Sequence, residues 1–119
     1  MAEFTELAME RMLAALLDGG VMAALSRGDA EMDDPGYQRL PLTFTAPQRI
    51  GTSGIVAVAN ATLLRFGPWA ADAHTEVDGW QVYSADGELL MKGKLVAKQK
   101  PSRGQSLVVD PRQWLVGLR

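Results

Sequence analysis

The chain has 119 residues, no cysteine and a formal net charge of −2, with 47% hydrophobic and 22% charged residues. That length supports one domain, residues 1–119, with its own core and leaves no room for a second. Without cysteine, neither disulfides nor thiolate chemistry contributes, so stability is expected from packing or assembly in a reducing cytoplasm.

Charges interrupt every apolar stretch near the start, so neither an export signal nor a membrane span is expected. The charge is divided unevenly. Residues 1–34 hold eight acids (Glu3, Glu6, Glu10, Asp18, Asp29, Glu31, Asp33, Asp34) against two arginines, a net of −6. Residues 35–119 hold six acids against ten Lys and Arg, a net of +4. An acidic front and a basic back can pair within one molecule or between neighbouring copies.

One helix is expected, over residues 5–18. Thr5 is a suitable N-cap, Glu6 falls in the first turn, and no Gly or Pro intervenes before Gly19-Gly20. Met9, Leu13, Leu16 and Leu17 recur at helical spacing on one side, and Glu3, Glu6 and Glu10 share another, the pattern of a helix packed by one face. The apolar run over residues 21–26 reads equally as an edge strand or a second helical turn. Residues 27–36, RGDAEMDDPG, read as an acidic loop closed by a Pro-Gly turn. Asp29, Glu31 and Asp33 imitate the start of a calcium loop, but Asp34 and Leu40 stand where its Gly and distal Glu belong, so calcium is not expected.

From Tyr37 the period becomes two. Leu40, Leu42 and Phe44 alternate with Arg39, Pro41 and Thr43, a half-buried strand that Pro41 assigns to an edge. Residues 46–54 read as a turn-rich connection, and 55–59 and 61–66 as strands broken at Asn60. Residues 69–77 read as an exposed connection, 98–105 as a basic turn, and 106–118 as final strands interrupted at Asp110-Pro111. The clearest signal is the hairpin in VDGWQVYSADGELLMKGKL, residues 77–95. Trp80 to Ser84 is rich in aromatic and β-branched residues, Gly87 supplies a positive φ for the turn, and Met91, Gly93 and Leu95 then alternate with Lys92, Lys94 and Val96. The expected fold is mainly β: one N-terminal α-helix followed by a small antiparallel β-sandwich or barrel over residues 37–118.

Chemistry is sparse. In an extended segment Asp72, His74 and Glu76 project to one side and form a weak candidate metal set, with no second His or Cys to complete it. No G-x-S-x-G elbow accompanies the single histidine, so no catalytic residue, cofactor or enzymatic activity is expected. Lys92, Lys94, Lys98, Lys100 and Arg103 form a basic cluster, but no stacking aromatics alternate with it and the pI is acidic, so nucleic acid is not an expected partner. The candidate interaction residues are therefore Glu3, Glu6, Glu10, Asp29, Glu31, Asp33 and Asp34 on the acidic side and these five cations on the other.

Several spaced signatures follow one another along nearly the whole chain: LAALLDG at residues 13–19, Ala24-Leu25-Ser26, the acidic loop ending Gly36-Tyr37-Gln38-Arg39, Asn60-Ala61, Phe66-Gly67-Pro68-Trp69, and ELLMKGKL at 88–95. In this order they resemble small virion proteins of tailed bacteriophages, commonly labelled tail fibre, head fibre or decoration proteins. The resemblance implies a non-enzymatic structural protein, made in the host cytoplasm and located in the virion. It also implies two kinds of partner: further copies of the chain, a trimer among the possible orders, and another virion protein, foremost the major capsid protein. The reading favoured within this class is an accessory head protein that decorates or cements the capsid. Its alternatives are a tail or baseplate fibre-attachment protein and, from another class, a receptor- or carbohydrate-binding module using Trp69, Trp80 or Trp114.

Overall fold

The computed structural model describes residues 5–16, 20–50 and 55–118. The fold is mainly β, with one short N-terminal helix followed by antiparallel sheets compatible with a small β-sandwich. Helix α1 spans Glu6–Leu16. Thr5 begins it as expected, its hydroxyl oxygen accepting from the Ala8 amide at 3.2 Å and so satisfying one of the free donors of the first turn. Met9 and Leu13, buried to 3% and 1% exposure, pack with Val56 and Val58 in a small core of their own. Leu17 and Asp18, at the end of the expected helix, lie outside the described residues.

Ten strands follow: β1 (Val21–Arg27), β2 (Ala30–Glu31), β3 (Leu40–Leu42), β4 (Gln48–Ile50), β5 (Ile55–Ala59), β6 (Leu64–Phe66), β7 (Val77–Ser84), β8 (Leu89–Gln99), β9 (Leu107–Val109) and β10 (Leu115–Leu118). The largest sheet runs β2-β1-β7-β8, with β3 also on β1; β10-β5-β4 and β6-β9 form two smaller sheets.

The sheet system starts earlier than the expected boundary at residue 37. Residues 21–26, left open between edge strand and helix, form an interior strand, with β7 along one side and β3 and β2 sharing the other. Both faces of β1 are covered. Val21, Ala23 and Leu25 enter the main core, while Ala24 and Ser26 on the other face are also buried. A strand buried on both sides loses the polar alternation that marks a half-buried one, which is why its period was mute. The acidic loop is likewise partly strand: its residues 30–31 turn back onto β1 as β2. Pro41 sits in β3, which pairs only with β1, in keeping with an edge position.

The hairpin forms as read. Ser84 and Glu88 close it, the Ser84 amide donating to the Glu88 carbonyl at 2.8 Å, and Gly87 takes φ 86°. Trp80 and Val82 point into the core at 7% and 0% exposure, and the Trp80 ring stacks on Trp114 with centroids 5.0 Å apart. Trp69 and Trp114 are buried as well, at 1% and 4%.

The connection over residues 69–77 is exposed as expected at residues 70–72 and 74–76, but it is anchored inward between them. Trp69 and Ala73 are buried, and backbone bonds tie the loop to the turn after β8, from the Trp69 amide to the Gln105 carbonyl and from the Ala73 amide to the Pro101 carbonyl, both 2.9 Å. Large apolar surface at Trp69 draws the loop inward, and the backbone groups this buries must then find partners. The break at Asn60 is equally structural. Fully buried, Asn60 donates from Nδ2 to the carbonyls of Thr62 and Asp110 and accepts the Trp114 amide on Oδ1, joining the β5–β6 link to the β9–β10 link.

Candidate interaction surface

The acidic and basic residues singled out in the sequence meet fates set by their neighbours. Asp29, in the β1–β2 turn, pairs with Lys92 at 2.8 Å, and the Lys92 ammonium holds its carboxyl below the usual range. Glu31 accepts both Nε and Nη2 of Arg39, the latter at 2.8 Å, and the Tyr37 hydroxyl at 2.7 Å. Burial pushes the Glu31 carboxyl up, but the bonds from Arg39 and Tyr37 outweigh it and leave it below its ordinary value. Burial and the neighbouring Glu31 carboxylate push the Tyr37 hydroxyl well above its own range, against the backbone amide of Leu25 that donates to it. The Arg39 guanidinium also lies 3.8 Å over the Tyr83 ring, a cation–π contact that covers the outer face of the sheet. Beneath it Tyr83 donates to Gln81, and buried Gln81 donates to the Asp29 carbonyl at 3.0 Å.

Asp34 is buried at 4% exposure and accepts the Trp69 indole N–H at 3.1 Å, and its other oxygen lies 3.1 Å from His74 Nδ1. Asp29, Glu31 and Asp34 are thus occupied within the chain, and the charge split is partly closed inside one molecule. Asp33 is exposed and Glu10 half-buried; Glu3 and the side chain of Glu6 lie outside the described residues.

The candidate metal trio does not converge. Asp72 accepts the Arg103 amide at 2.8 Å, His74 turns to Asp34, and Glu76 faces Arg27 at 3.8 Å. Among the described residues no three His, Cys, Asp or Glu side chains are grouped as metal ligands. The buried carboxylate behind His74 has the form of a base and its orienting partner, but His74 is 76% exposed at its side chain and lines none of the four main cavities. Arg103 is set apart from the lysines, in the turn after β8 that Asp72 ties down.

What remains is the edge formed by β8. This is the longest strand, and among the described residues nothing pairs with its outer side. It also leaves β7. Gly79 pairs with Lys94 and Val77 with Gln99, so one residue of β7 stands opposite the four of 95–98, which arch out of the ladder. Two open cavities flank the arch. One, of about 670 Å³, separates β8 from β9 and is lined by Trp80, Trp114, Met91, Leu107 and Val109; the other, of about 620 Å³, lies between β8 and the β1–β2 turn. Lys94, Lys98 and Lys100 are exposed, and unlike Lys92 they have no ion-pair partner among the described residues.

Sequence reasoning found the lysines and missed Val96. In the row 92, 94, 96, 98, 100 every other position is lysine, so period two puts Val96 on the solvent side, and the structure leaves it fully exposed at 106%. An apolar residue within a row of ammonium groups was the available signal.

No known protein family, curated protein or solved structure matches the chain.

Proposed function

We propose that this protein is a non-enzymatic structural subunit of a tailed-bacteriophage particle, an accessory head protein that decorates or cements the capsid and engages its neighbour through β8. The observation that carries the reading is the β8 edge itself: an arched strand with free backbone groups, an exposed Val96 and three unpaired lysines. Lysines and an arch keep such an edge from pairing with a like copy, whereas the fully exposed Val96 within the row has no such use and marks a place for a different partner. Nothing else on the described surface competes as a working site. Among the described residues the buried side-chain polar atoms all have hydrogen-bond partners, and the three tryptophans that a carbohydrate-binding module would present are in the core.

A subunit repeated over a lattice gains avidity from many modest contacts, so it strengthens a particle without being required to build it. Virions lacking the protein are expected to package DNA but to break at lower temperature, and purified protein is expected to rebind such heads, more weakly as salt rises and screens the lysines. Unchanged head stability together with loss of adsorption or incomplete tails would reject the head reading in favour of fibre attachment.

A further inference from the structure

We propose that β8 works by strand addition. An extended segment of a partner protein, with carboxylates at alternate positions and apolar side chains between them, enters the slot between β8 and β9 and pairs with the backbone of residues 95–98. This inference rests on the reading of β8 as the assembly edge and adds the chemistry of what it takes.

The slot has the attributes of a missing strand. On one side β8 offers the backbone donors and acceptors of its outer edge, with which nothing pairs among the described residues, and the arch over 95–98 leaves that stretch free of β7 as well. On the other, β9 pairs with β6 and with no other strand among the described residues. Free amides and carbonyls in a row are best satisfied by another backbone in extended form, with affinity from the ladder and selectivity from alternate side chains. Those side chains can be assigned by face. Toward the interior the slot is lined by Trp80, Trp114 and Met91, which calls for apolar residues. Toward solvent stand Lys94 and Lys98, exposed and unpaired, which call for carboxylates, since opposite charges directly across a ladder stabilise it and like charges oppose it.

The same rule excludes the simplest rival, a second copy joined edge to edge through its own β8. Such a pair would set lysine rows 92, 94, 98 and 100 against each other, the arrangement by which edge strands avoid self-association. In the acidic segment 29–34 of a second copy, Asp29, Glu31 and Asp34 are already spent on Lys92, Arg39 and Trp69, which leaves Asp33 alone to offer. Duplex or single-stranded nucleic acid would meet the lysines but find no stacking ring, because Trp80 and Trp114 are 7% and 4% exposed.

The test uses the full chain and a blocked peptide of alternating Glu and Val, with alternating Lys and Val as its control. The expected result is saturable binding of the acidic peptide only, weakening with salt, with slowed amide exchange confined to residues 94–99 and 107–109. Val96→Pro removes an amide the ladder does not use and should reduce binding about tenfold or more at unchanged Tm; Lys98→Glu should weaken it without touching the backbone. Equal binding of both peptides, protection elsewhere, no binding, or full binding by a well-folded Val96→Pro variant would each overturn strand addition. So would a salt-sensitive dimer competing with the peptide, or duplex DNA displacing it. The two readings separate cleanly. Heads rebound equally by wild type and Val96→Pro would remove strand addition and leave the virion role standing, whereas peptide capture without head binding would do the reverse.

Discussion

The indole of Trp80 lies across Gly93 on the neighbouring strand, so close that a β-carbon added at Gly93 would fall 2.4 Å from the ring. Glycine is required here by the ring and not by the backbone, and the large side chain fills the space its partner leaves empty. Trp80 continues from there onto Trp114. Gly93→Ala is therefore expected to displace the indole and cost about 1–3 kcal/mol, and Trp80→Ala about 3–5 kcal/mol. Thermal denaturation checks both, and near-ultraviolet circular dichroism should show the Trp80–Trp114 pair disturbed in each. Normal stability in both variants would mean that the β7–β8 hairpin does not organise the core.

The Glu31, Arg39 and Tyr37 cluster gives the fold a predictable response to acid. Because the folded state holds the Glu31 carboxyl below its ordinary value of 4.5, its contribution is complete above that pH and is lost as pH falls below it through the folded value. Glu31→Gln should cost about 1 kcal/mol at neutral pH, reduced by the pair's partial exposure, and should flatten the acid limb of the stability curve. Urea titrations of the two proteins between neutral and acid pH measure the difference. Parallel curves would show that Glu31 does not carry the dependence.

Asp34 holds the Trp69 indole, whose buried N–H the chain would otherwise leave without an acceptor. Asp34→Ala strands the Trp69 indole N–H in the core, and the expected loss is about 1–3 kcal/mol. Asp34→Asn keeps an acceptor for Trp69 and should lose less. Hydrogen exchange at residues 69–73 should quicken in the alanine variant first, because that loop is anchored at both ends around Trp69.

Chelation provides a further check. Asp29, Glu31 and Asp34 already spend their oxygens on Lys92, Arg39, Tyr37, Trp69 and His74, so EDTA is expected to leave Tm unchanged, as is added calcium. A fall in Tm on chelation, restored by calcium or zinc, would reveal a site formed by other residues.

What could be read from the sequence followed from local rules. The Thr5 cap, the turn at Gly87 and the period-two run through Leu40 and Leu42 each depend on neighbours along the chain, and each formed as read. The interior place of β1 did not show, because Ala23, Ala24 and Ser26 are small and covered on both sides, and burial on both faces erases the alternation. The inward pull of Trp69 was hidden too, since its partners Asp34 and Gln105 are distant in sequence. For the candidate surface, the lysines could be read by spacing, whereas the arch at residues 95–98 arises only when β7 and β8 are laid side by side and their lengths disagree.

The pairing of β1 with β7 matches Val21 to Ser84 and Ser26 to Gly79, which sets a constraint in time as well as space. During synthesis β1 leaves the ribosome before β7, carrying apolar residues for two faces, and residues 28–76 must be made before its long partner can follow. Until then only the short strands β2 and β3 can pair with it, along one side, because closing the large loop to β7 must precede the contacts that reward it. The nascent chain therefore passes through an interval with an open, sticky strand. A chaperone that shields residues 21–26 during that interval is expected to raise the yield of folded protein.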